Sequence, residues 1–245
     1  CGVMAEALYT RFAVQPVLRG PLARDPDGQP TLTWHAFFDF YVPLALTSLL
    51  LFLAQPIGSA AMSRMPQPVA SLAAWQVTSS LLFLLRSPGV AFNEVVVALI
   101  DQPRGEESLR RFAWALIGGV AVLGVLFAVT PLAEVWFGRL MDLDKPLVEM
   151  ARRAMLLGLP IAVLTVAQSW FQGRLVARRR TRGVSEAVAL YLAVDAVVLA
   201  AGVAIGSSVG LHVAVAAMSV AGAVQVLWLW HRDRAFGRVP GPTAH

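Results

Sequence analysis

Six apolar windows, at 37–62, 69–100, 112–137, 147–171, 184–206 and 211–230, alternate along the chain with short polar stretches. A helix crosses the roughly 30 Å hydrocarbon core of a bilayer with about 20 residues, so each window is long enough to span it. Most of the windows lack the polar stripe at helical spacing that a helix on a water-soluble core presents to solvent. The pattern predicts an all-α integral membrane fold, a six-helix transmembrane bundle over 31–235. The second window is too long for one straight crossing, and Arg86, Ser87, Pro88 and Gly89 interrupt it near its middle. Proline removes a helix donor and crowds the preceding turn, so this window reads as one broken helix or as two short ones. Residues 1–30 read as the end of a preceding helix and a linker rich in Pro, Gly and Asp, and 236–245 as a tail.

Charge decides between the two readings of the second window, because cytoplasmic loops gather Lys and Arg. With one broken helix, the N-terminal stretch, the 102–111 loop, the 172–183 loop and the C-terminal tail share a side and carry 14 basic residues against 5 on the other, with Arg86 left in the membrane. Two crossings would divide the same residues 8 against 12, so one broken helix with both termini cytoplasmic is expected, in an inner membrane. Trp136, Trp228 and Trp230 sit where interfacial aromatic belts form. Composition agrees with lipid as the solvent: 57% of residues are hydrophobic and 14% charged. The net charge of +5 comes from arginines in short blocks between apolar runs, which is a membrane pattern and not a nucleic-acid one. The cluster Arg178, Arg179, Arg180 and Arg182 reads as a topology signal facing anionic lipid.

The single cysteine, Cys1, leaves no internal disulfide and no cysteine cluster. With no initiator methionine or signal-peptide pattern, and with a lipid anchor redundant beside six spans, Cys1 is expected to be a fragment boundary. The histidines His35, His212 and His231 lie at window ends without metal-ligand spacing, and no phosphate loop or Ser, His and Asp arrangement stands out. No metal, no cofactor and no enzymatic chemistry are expected.

Ionisable groups in a span are costly unless they face protein or water, which makes them the places to look for function. Asp39 falls in a first helical turn, where it complements the macrodipole, and Glu186 follows Arg182 by four residues, the spacing of a shallow ion pair. Arg86 and Glu94 flank the Pro88 and Gly89 break; on an ideal helix Asn93 lies about 20° and Glu94 about 80° from Arg86. The pair is either a bridge that fixes the kink or part of a substrate path. Asp195 lies midway along the fifth window with Tyr191 one turn earlier and no basic neighbour in sequence. Gln55 beside Pro56, and Gln168 beyond Pro160, mark expected kinks in the first and fourth helices. The substrate or ion pathway is therefore expected at Arg86, Asn93, Glu94, Asp195 and Gln55, with kinks at Pro56, Pro88, Gly89 and Pro160.

The stretch 40–64, FYVPLALTSLLLFLAQPIGSAAMSR, resembles the opening of the C-terminal half in the progressive ankylosis family of membrane transporters, which belongs with the MATE and lipid-flippase superfamily. The resemblance rests on Pro43, Leu44, Ala45 and Leu46, on Pro56 and Ile57, on Ser63 and Arg64, and on Pro88 six residues before Glu94. It implies two six-helix lobes facing each other across a cavity that opens alternately to either side. This chain would be the C-terminal lobe, partnered by a missing N-terminal six-helix lobe of the same chain. Cation-coupled relatives carry carboxylates deep in the first and fourth helices of such a lobe, where this chain has Gln55 and Gln168. Animal members are linked to export of small polyanions, which would suit Arg86 as a counter-charge. The expectation is a transporter or flippase lobe for a small amphipathic or anionic molecule, with the bilayer and that substrate as partners; the alternative is a non-transporting membrane scaffold or assembly subunit.

Overall fold

The computed structural model describes residues 2–19, 33–34, 52–178 and 180–236. Cys1, His35, Asp39, Arg179, the Pro43 to Leu46 stretch, the 20–30 linker and the tail beyond 236 lie outside them, as does the first part of the 37–62 window. The chain divides into two units, Cys1–Val42 and Pro43–His245. The first contains helix α1, Gly2–Arg19. The second contains helical residues 52–62 (α2), then α3 (Pro68–Leu99), α4 (Gly105–Val129), a π-helical turn (Glu134–Leu140), α5 (Lys145–Ala177), α6 (Arg182–Ile205) and α7 (Gly210–Phe236). No strand occurs among the described residues. Among the described residues five helices, α3 to α7, are long and apolar enough to cross a membrane, which is the build of a multi-pass membrane protein. Helices satisfy their own backbone groups, which lipid cannot do.

The elements end where local chemistry requires. Window 112–137 does not form one helix: α4 stops at Val129 because Thr130 precedes Pro131 and takes extended dihedrals (φ −93°, ψ 169°), and the π-helical turn follows. Gly206 ends α6 in the left-handed region (φ 63°), where a side chain would be strained.

The second window folds differently from the broken helix expected of it. At 32 residues α3 is about 48 Å long, and it is helical throughout, with Pro88 inside it. Pro88 has no N–H to give the carbonyl four residues back, that of Leu84. The hydroxyl of Ser87 donates to the Leu84 oxygen instead, at 2.8 Å, so the acceptor orphaned by proline is satisfied by its neighbour's side chain. Pro160 also sits inside an uninterrupted α5, and Pro56 within α2. Gly89 is a packing glycine: a Cβ there would come within 3.1 Å of Val166 Cγ2 and 3.3 Å of Val166 N on α5.

Helix α5 is the centre of the bundle, packed on α3, α4 and α7, while α6 packs chiefly on α7. Its apolar stretch is 44% buried against 17% for α6, which lies at the margin of the bundle. The main core joins Met62, Leu81, Phe137, Met155, Leu211 and Val215, and a second cluster sets Phe92 and Val96 against Val166, with Trp170 stacked on Phe92.

The two ends of the bundle are fastened by different chemistry. At one end Arg174 of α5 donates through Nε to Asp233 of α7 (3.2 Å) and through Nη1 to Glu106 of α4, and Arg178 also reaches Asp233 (3.2 Å). At the other, Arg152 donates to Ala128 O (2.7 Å), His212 Nε2 lies 3.2 Å from Met150 O, and Gly210 N donates to Pro66 O. The 102–111 and 172–183 loops and the end of α7 thus share one end, the grouping that the arginine count requires. The Arg182–Glu186 pair does not form: Glu186 accepts from Arg232 of α7. An arginine placed before its glutamate at the start of a helix opposes the helix dipole, and a guanidinium from a neighbouring helix does not.

Candidate functional site

A cavity of about 370 Å³ lies within the second unit, walled by α2, α3, α5, α6 and α7. Helical spacing builds each wall. On α6, Val184, Val188, Tyr191, Asp195 and Leu199 recur at three- and four-residue intervals and share a face. On α5 the same rule aligns Ile161, Thr165, Gln168 and Gln172, and on α7 it aligns Met218, Gly222 and Gln225. Gln55 on α2 and Trp75 and Arg86 on α3 complete the lining. A second hollow of about 380 Å³ shares Gln55, Trp75 and Arg86 with it and extends to Ser79, Ser80 and Phe83.

Two charged groups and four glutamines therefore face one space inside an apolar bundle. Arg86 Nε donates to Thr165 Oγ1 at 3.0 Å, and that hydroxyl donates to Ile161 O at 2.8 Å, a relay that fixes the guanidinium on the α3 and α5 wall. Asp195 is 4% exposed, and its Oδ1 has no hydrogen-bond partner. Gln225 is also 4% exposed, and Gln168 Nε2 lies 3.4 Å from Gln172 Oε1. No ion pair joins Arg86 to a carboxylate among the described residues.

Of the residues expected from sequence, Arg86, Asp195 and Gln55 come together here, with Gln168 beside them. Asn93 and Glu94 do not line this space: Glu94 is exposed, its Oε1 lies 3.4 Å from Asn93 Nδ2, and Asn93 Oδ1 is buried without a partner. The Arg86–Glu94 bridge is not formed. Eight residues of continuous helix separate the two by about 12 Å along the axis, beyond ion-pair reach. Sequence reasoning missed Thr165, Gln172 and Gln225 as lining residues; Gln225 inside the last apolar window was a signal of the same kind as Gln55.

Comparison with protein-family models, curated proteins and solved structures yields no match. The functional reading rests on this cavity.

Proposed function

We propose that this chain is a lobe of a secondary membrane transporter or flippase that exports a small amphipathic or anionic molecule by alternating access. The observation that carries the reading is a cavity holding Arg86, Asp195 and four glutamines inside helices built for lipid. Buried polar groups without partners cost stability, and membrane proteins keep them where a substrate or ion passes. A scaffold has no use for such a space. Apolar side chains such as Trp75, Leu199 and Met218 on the same walls suit a molecule with an apolar part. In this reading both termini are cytoplasmic, and a second six-helix lobe faces this one and rocks against it.

Accessibility tests it. Gly222 lines the cavity, and a Cβ there would meet only Leu164 Cδ1, at an ordinary 3.6 Å, so Gly222→Cys in a Cys1→Ser background places one thiol in the cavity. In the full-length protein a membrane-impermeant maleimide should reach that thiol in both right-side-out and inverted vesicles. Labelling from one side only, or from neither, would favour the scaffold. Reporter fusions after Arg111 and after Arg180 should behave as cytoplasmic and a fusion at Asp142 as periplasmic; a cytoplasmic result at Asp142 would end the six-span topology.

A further inference from the structure

The cavity contains charges of both signs that do not neutralise each other. Arg86, on α3, is held through Nε by Thr165, and its two terminal nitrogens make no hydrogen bond among the described residues. Asp195, on α6, lines the same cavity with Oδ1 unpartnered and 4% of its surface exposed. Elsewhere the protein closes such pairs: Asp233 with Arg174 and Arg178, Glu106 with Arg174, Glu186 with Arg232. At the cavity the guanidinium is tied to Thr165 of α5, the carboxylate stands on α6, and no ion pair joins them among the described residues. In a low-dielectric interior each charge lacks the counter-charge that burial calls for. An anion alone would satisfy Arg86 and meet repulsion from Asp195, and a cation alone would do the reverse. A molecule carrying both signs satisfies both.

We infer that the cavity takes an amphipathic zwitterion, its anionic group held by Arg86, its ammonium group by Asp195, and its apolar part against Trp75, Leu199 and Met218. The inference rests on reading this cavity as the substrate site and narrows the class of molecule carried. Zwitterions of this chemistry reach a membrane protein from the bilayer, as a lipid headgroup with its chain, or from water, as an amino acid with an apolar side chain. Tyr191, one turn from Asp195 on the same wall, is the remaining titratable side chain lining the cavity among the described residues.

The test is equilibrium binding to the full chain purified in an uncharged maltoside detergent, with four probes: lysophosphatidylethanolamine and free tryptophan as zwitterions, dodecyl phosphate as anion and dodecylamine as cation. One zwitterion should bind about tenfold or more tightly than either singly charged probe. The zwitterion that does so identifies the source, membrane or water. Asp195→Asn should erase the preference over dodecyl phosphate while Asp195→Glu keeps it, and Arg86→Gln should erase the preference over dodecylamine. If Arg86→Gln does not fold, the Asn and Glu variants of Asp195 carry the test alone. Binding of dodecyl phosphate as tight as that of both zwitterions, no binding of either zwitterion, or zwitterion binding indifferent to Asp195→Asn would overturn the inference. Binding is read without flux, so one-sided labelling of the cavity thiol would end the transport reading and leave a zwitterion site standing. Two-sided labelling with charge-blind binding would do the opposite.

Discussion

The arginine-rich end of the bundle and its central cavity use the same side chains to opposite purpose. At the end, Asp233 is 8% exposed and accepts from two arginines, Arg174 stacks over Trp170, and Arg232 is shared between Glu186 and the Trp228 ring. In the cavity an equally buried Asp195 pairs with no arginine among the described residues, although Arg86 lines the same space. Burial is therefore not what distinguishes these two carboxylates; the presence of an arginine partner is. A paired buried charge fastens helices, and an unpaired one is costly to hold and is explained by what it meets later.

The largest effect should come from breaking the paired side of this contrast. Asp233→Ala leaves Arg178 without its carboxylate and Arg174 with Glu106 alone, and should cost up to about 3 kcal/mol, read as a lower melting temperature in detergent. Glu106 still holds Arg174 in that variant, so a loss far above this figure would mean that Asp233 supports more than the two arginines. Asp195→Asn should move melting by about 1 kcal/mol or less, and upward if at all, because it removes a buried charge without leaving another charge unpaired. A destabilisation as large as that of Asp233→Ala would show that Asp195 is structural and erase the distinction between the two regions. Glu94→Gln should change melting by about 0.5 kcal/mol or less and leave two-sided labelling of the cavity thiol unaltered, since Glu94 is exposed near the end of α3. Loss of labelling in that variant would extend the functional region beyond the cavity.

The helices were legible in the sequence because lipid imposes a length and an apolar composition that a short window registers. The end of α6 at Gly206 matched its window, whereas the end of α4 at Val129, set by Pro131, was passed over inside the 112–137 window. Arg86 and Asp195 were legible for the same reason, as charges inside apolar runs. Their partners were not. Arg86 meets Thr165 across 79 residues of chain, and Arg174 meets Asp233 across 59. No local pattern encodes which helix lies beside which. Reading charges by nearness in sequence therefore joined Arg86 to Glu94 and Glu186 to Arg182, where the fold supplies Thr165 and Arg232. The expected break at Pro88 failed for a smaller reason: a serine one residue earlier supplies the proton that proline lacks.

That serine makes α3 a spliced rod. Around Pro88, on the helix that carries Arg86, the Leu84 carbonyl is held by a hydroxyl able to swing about one side-chain torsion, where its neighbours are held by amides locked into the peptide plane. Stiffness along α3 is accordingly lowest within two residues of its only arginine. A bending load applied to the ends of the helix concentrates there, in the same turn that carries the guanidinium.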